Sequence, residues 1–87
     1  MSKDEIMEAL EGNEIAYRKI GSEEISNIMA YVPILLKIDE KTQDYFYQID
    51  IEDLMESDMP TDDLADLKEE GWSIDDSESF LILYINI

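Results

Sequence analysis

Tyr45-Phe46-Tyr47-Gln48-Ile49-Asp50-Ile51 decides the fold. Tyr45, Tyr47, Ile49 and Ile51 fall on one face of an extended chain and Phe46, Gln48 and Asp50 on the other, the period-two pattern of a strand. Just upstream, Ile34, Leu36 and Ile38 alternate in the same way. The polar run Asp39-Glu40-Lys41-Thr42-Gln43-Asp44 between them has turn composition. Residues 34–51 therefore read as a hairpin. Further on, Phe80 to Ile87 is a near-continuous apolar run rich in β-branched residues, suited to a strand buried on both faces or at the sheet centre. Removal of its last few residues is expected to unfold the chain. Glu14 to Ile20 reads as one more short strand, because Ile15 and Tyr17 alternate with Glu14, Ala16 and Arg18.

Helical signals lie between and before the strands. Ser2 and Glu5 have capping-box spacing, and Ile6, Met7 and Leu10 form an apolar stripe that Gly12-Asn13 stops. Residues 22–31 admit two readings. In the favoured one, Ser22 caps a short helix with Ile25, Ile28 and Met29 as its buried stripe, ended by Pro33. In the other, Ile25 to Ile38 is one long strand bulged near the proline. Ile51, Leu54 and Met55 mark a short helix that Met59-Pro60 ends. Thr61 then looks like an N-cap, with Asp62 and Asp63 in the first turn and Leu64 and Leu67 facing inward. Gly71 takes the C′ position, which sets Trp72 against Leu67 in a Schellman cap. Ser73 to Ser79 reads as an acidic loop. The expected fold class is α+β. A single domain over residues 1–87 holds a mostly antiparallel sheet of three or four strands. An N-terminal helix precedes the sheet, and one or two acidic helices precede the C-terminal strand.

Composition narrows the function. Eighty-seven residues carry 23 Asp and Glu against 6 Lys and Arg, a net charge of −17. Direct binding to nucleic acid or to an anionic membrane would be opposed by that charge. Cysteine and histidine are both absent, which removes disulfides, thiol nucleophiles, histidine-based triads and most transition-metal sites. No window has the spacing of an EF-hand loop, so no cofactor or metal is expected. Acid pairs are everywhere, and no one pair stands apart as an acid–base couple in a cleft, so binding leads catalysis and an enzyme is not expected. The N-terminus lacks a signal peptide's apolar core and no run approaches the ~20 residues that span a bilayer. A cytoplasmic protein is the default expectation.

The charge is uneven. Residues 1–49 hold 10 acids and 5 bases, net −5, whereas residues 50–87 hold 13 acids and one base, net −12. On the predicted helix after Thr61, Asp62, Asp66, Glu69 and Glu70 recur at i, i+4, i+7 and i+8 on the side away from the leucines, with Asp63 beside them. Glu56 and Asp58 before the row, and Asp75, Asp76 and Glu78 after it, could extend it. Like charges at this spacing weaken a helix by a few tenths of a kcal/mol per pair, and solubility needs only about 2–8 net charges on a small domain. These ten carboxylates are the candidate partner-binding residues. A solvated surface is the plain alternative.

In size, in its leading helix, in the strands through Tyr45 to Ile51 and in an acid-rich helical second half with Gly71-Trp72, the chain resembles the small acidic inhibitors of phages and mobile elements, notably the type II anti-CRISPR proteins. The resemblance rests on organisation and charge and assigns no residue roles. It implies mimicry of DNA on a basic groove of a nucleic-acid-binding partner, a nuclease or CRISPR effector. Small acidic immunity proteins, which neutralise toxin nucleases, share the size and charge. A third expectation is a non-inhibitory assembly module that pairs through the apolar C-terminal strand, since an exposed hydrophobic edge invites strand addition.

Overall fold

Ser2 and Glu5 close a reciprocal box at the head of the first helix. The Glu5 N–H donates to Ser2 Oγ at 3.2 Å and the Ser2 N–H donates to Glu5 Oε1 at 3.0 Å, satisfying two of the amides that every helix start leaves free. The computed structural model describes residues 1–15 and 17–85. Along them run α1 (Lys3–Ala9), β1 (Tyr17–Arg18), α2 (Ser22–Met29), β2 (Leu35–Ile38), β3 (Tyr45–Asp50), α3 (Ile51–Glu56), a 3-10 turn (Thr61–Asp63), α4 (Leu64–Glu70), β4 (Ser73–Ile74) and β5 (Phe80–Ile85).

β5 is the centre of a mixed five-stranded sheet. β3 pairs antiparallel along its whole length, from Tyr45 opposite Ile85 to Asp50 opposite Phe80, and β2 pairs antiparallel with β3 beyond it. On its other side β5 holds two short strands end to end. β1 runs parallel, with Tyr17 opposite Tyr84, and β4 runs antiparallel, with Ser73 opposite Ile82. Alternation then sorts the side chains. Ile49, Leu81 and Leu83 project to one face, where they join Ile6 of α1 and Leu10 at its C-cap, Ile25 and Ile28 of α2, Ile51 and Leu54 of α3, and Leu64 and Leu67 of α4 in a single core. The helices thus form one layer on one face of the sheet. The opposite face carries a row of rings, Tyr17 against Tyr84 at 5.5 Å between centroids and Tyr84 against Phe46 at 5.2 Å. The Tyr17 hydroxyl donates to Asp44, and the Tyr84 hydroxyl donates to Asp39 Oδ2 at 2.9 Å. Both tyrosines thereby pin the β2–β3 turn. That hydroxyl, followed by the N–H groups of Lys41 and Thr42, lowers the pKa of Asp39.

The α4 terminus is the best-defined local motif. Gly71 adopts φ +99°, its N–H donates to the Lys68 carbonyl at 3.1 Å, and the Trp72 N–H donates to the Leu67 carbonyl at 3.1 Å. These are the two bonds of a Schellman cap, in which a left-handed residue favours glycine. Trp72 is thereby turned into the core, where it is 0% exposed. The Asn13 side-chain amide donates to the carbonyls of both Lys68 and Trp72 at 2.9 Å, tying the segment after α1 to the same corner.

Several expectations are corrected. The strand foreseen over Glu14–Ile20 is reduced to Tyr17–Arg18 (Ala16 lies outside the described residues), because only the far end of β5 is free to pair with it. Residues 22–29 are helical, but Gly21 occupies the cap position and Ser22 provides no capping bond. Ile25 and Ile28 are buried while Met29 is 53% exposed, so the stripe is narrower than expected. β3 stops at Asp50, whose carboxylate accepts from the Glu52 N–H at 2.9 Å and starts α3. Thr61 opens a 3-10 turn, and neither it nor Asp63 caps α4 through a side chain. The expected loop Ser73–Ser79 begins with a strand, β4, so the acidic part is the turn of a β4–β5 hairpin. β5 lies at the sheet centre with strands on both sides, and it is therefore not an open edge for a second chain. Asn86 and Ile87, assigned to the same run, lie outside the described residues.

Candidate functional site

α4 lies between two acid-lined grooves. On one side it faces α2 across a groove of about 640 Å³, lined by Glu24 from α2, by Asp63, Asp66, Glu69 and Glu70, and by the apolar Ile28, Met59 and Leu67. On the other it faces α1 across a shallower groove lined by Glu5 and Glu8 from α1 and by Asp62, Glu69 and Lys68. The geometry follows from the helix repeat. Leu64 and Leu67 fix the buried side of α4, Asp66 and Glu70 border the α2 flank, Ala65 and Lys68 the α1 flank, and Glu69 both. Among the described residues no three carboxylates come together as ligands for a metal ion. The acids are spread along the two grooves.

The ten sequence candidates divide accordingly. Asp62, Asp63, Asp66, Glu69 and Glu70 are brought together around α4. Glu56 lies exposed at the end of α3, Asp58 is exposed in the link that follows, and Asp76 is exposed in the β4–β5 turn. Glu78 belongs to a separate, smaller groove of about 360 Å³ with Lys3, Asp50 and Glu52. Asp75 is engaged within its own turn. Its carboxylate accepts from the Ser77 hydroxyl at 2.6 Å and from the N–H groups of Ser79 and Phe80 at 3.0 Å. Burial pushes its pKa up, but these bonds, led by the Ser77 hydroxyl, outweigh burial and the net shift is downward. The ten therefore do not make one surface. Sequence reasoning missed Glu5, Glu8 and Glu24, since it followed the acid excess of the second half while the fold sets the first two helices against α4.

Among the described residues, Glu70 is the acid with a strongly altered proton affinity. Burial, then the charges of Asp66 and Glu24, push its pKa up to about 7. The Trp72 indole N–H acts in the opposite direction. The two groups nevertheless fall short of hydrogen-bond geometry, and Glu70 Oε2 and Trp72 Nε1 are both buried without a partner. An acid whose folded pKa is raised favours folding fully below its unfolded pKa, and that contribution is lost as pH rises through about 7. Glu70→Gln should therefore raise the thermal midpoint at about pH 8 by several degrees and leave it nearly unchanged at about pH 4.5. Thermal melts followed by circular dichroism at the two pH values check this. Equal shifts at both would show that the gain does not come from the ionised carboxylate.

Among the described residues, no helix is long and apolar enough to cross a membrane. Comparison of the chain with protein families, curated proteins and solved structures finds no match.

Proposed function

We propose that the chain is a non-catalytic binding protein whose acidic helical layer occupies a basic surface on a nucleic-acid-binding protein, in place of the nucleic acid. The observation that carries this reading is the placement of carboxylates on both flanks of α4, with Glu24, Asp63, Asp66, Glu69 and Glu70 on one side and Glu5, Glu8 and Asp62 on the other. A marginal domain gains nothing in stability from such crowding. A partner's lysines and arginines would relieve it and would lower the pKa of Glu70. Electrostatic complementarity of this kind gives fast association that weakens as salt rises. An anti-CRISPR-like inhibitor is the specific form we favour, with a guide-loaded CRISPR effector or another basic nuclease as partner.

The test is displacement of labelled duplex DNA from a guide-loaded type II CRISPR nuclease and from a panel of unrelated basic nucleases, at low and high salt. Displacement from at least one, reduced by salt, is the expected result. The triple variant Asp62→Lys, Asp66→Lys, Glu69→Lys changes the net charge from −17 to −11. At about 1 kcal/mol or more for each lost pairing it should weaken displacement by at least ~100-fold with the circular dichroism spectrum unchanged. Displacement that survives the triple change would remove the acidic face as the interface. Failure to displace DNA from every enzyme tested would remove the nucleic-acid-mimic reading.

A further inference from the structure

β2 is one of the sheet's two edges; at the other lie the two-residue strands β1 and β4. Among the described residues it pairs with β3 on one side only. Leu35, Leu36 and Ile38 are 52%, 56% and 44% exposed, and Tyr45, opposite Ile38, is 40% exposed. Leu36 and Ile38 lie on the helix-bearing face, opposite Tyr47 and Tyr45, but the helices do not reach far enough across the sheet to cover them. Charge sets the same region apart. Between Glu24 and Asp39 lie fourteen residues without a single carboxylate, the longest such stretch in a chain with 23 acids. Exposed Met29 and Tyr31 belong to it as well. The molecule is thus acidic on its helical layer, while its β2 edge is apolar and free of acids.

We propose that two copies of the chain join edge to edge through β2, making one continuous sheet across a two-fold axis. A basic partner has no reason to choose an acid-free edge over the acidic grooves. A second copy has one, because this is the surface on which two molecules of charge −17 can meet without opposing carboxylates. The register follows from the faces. With both helical layers on one side of the joined sheet, only residues of the same face lie opposite one another. Centring on Lys37 would set two ammonium groups directly opposite, which is unfavourable. Centring on Leu36 sets Leu36 against its own counterpart, Ile34 against Ile38, and Leu35 against the aliphatic stem of Lys37. Pro33, which lacks an N–H, and Asp39 then close the ladder at each end. The usual role of an edge lysine is to discourage open-ended association, and here Lys37 also excludes the register centred on itself, while centring on Leu36 keeps all four β2 residues within the ladder.

This interface does not rest on the acidic-face reading, and its salt dependence has the opposite sign. Screening the repulsion between two strongly acidic molecules favours the dimer. Sedimentation velocity at concentrations up to millimolar should show a dimer whose dissociation constant falls at least ~10-fold between about 0.05 M and 0.5 M NaCl. Leu36→Lys should leave only monomer, even though it makes the net charge less negative, while far-UV circular dichroism confirms that the variant folds. The chain has no cysteine, so single thiols read the register independently. Leu36→Cys should cross-link on mild oxidation, and Leu35→Cys should not. A monomer at both salt concentrations, a dimer indifferent to Leu36→Lys, or equal cross-linking of the two thiol variants would overturn the proposal.

Discussion

Trp72→Ala is expected to leave the chain largely unfolded at room temperature. Trp72 is the largest of the fully buried side chains, and truncating a buried tryptophan to alanine costs about 3–5 kcal/mol. At ~0.05–0.15 kcal/mol per residue, a domain of this size has roughly 4–13 kcal/mol in all, and strong self-repulsion argues for the lower end. Loss of the indole also removes what the Schellman cap at Gly71 delivers to the core. Urea unfolding followed by circular dichroism measures the effect, with a midpoint near zero denaturant expected for Trp72→Ala. Trp72→Phe should be milder, since it keeps most of the apolar area and removes an indole N–H that has no partner. A Trp72→Ala variant that lost less than about 1 kcal/mol would show that the corner closes without its plug.

The second large effect is expected from ending the chain at Ile82. That truncation removes Leu83 from the core and takes away both residues that hold β1, Tyr84 opposite Tyr17 and Ile85 opposite Arg18. It also deletes the β5 partners of Tyr45, Phe46 and Tyr47. Half of the ladder between the two longest strands disappears, and β3 is left with three partners. The shortened chain should lack amide dispersion in a proton–nitrogen NMR spectrum. A dispersed spectrum from it would mean that the helical layer and the β2–β3 hairpin fold without the central strand.

What the sequence made legible was local. Ser2 with Glu5, Gly71 with Trp72, and the alternation from Tyr45 to Asp50 each encode a structure within a few residues, and each forms as read. What it hid depends on meetings between distant segments. Nothing in Ser73-Ile74 announces a strand, because two residues carry no periodicity and their pairing needs Leu81 and Ile82. Phe80–Ile85 lies at the sheet centre, as its apolar run suggested, but nothing in Leu35–Ile38 marks β2 as an edge strand, because its neighbours are set by the fold. Glu70 illustrates the same limit within the candidate site. The helical repeat put it on the outer row with Asp62 and Asp66, yet α2 lies alongside and half-buries it beside Glu24. The abundance of acid was plain from composition, but its division into two grooves, a separate Glu78 and a turn-bound Asp75 required the fold.

The position of β5 has a consequence for how the protein is made. Its middle strand is the last of the described elements to be synthesised, and every other strand except β2 is held by it directly. Until Phe80–Ile85 is available, the helices and the β2–β3 hairpin have no centre to assemble around. Assembly of the full sheet must wait for Phe80–Ile85, after which the longest-range pairing, Tyr17 with Tyr84, is the most costly in chain entropy to form. The nascent chain therefore passes through a stage in which the apolar β2 edge and the still uncovered core face are exposed together, and its dense negative charge is then its main protection against sticking to its neighbours.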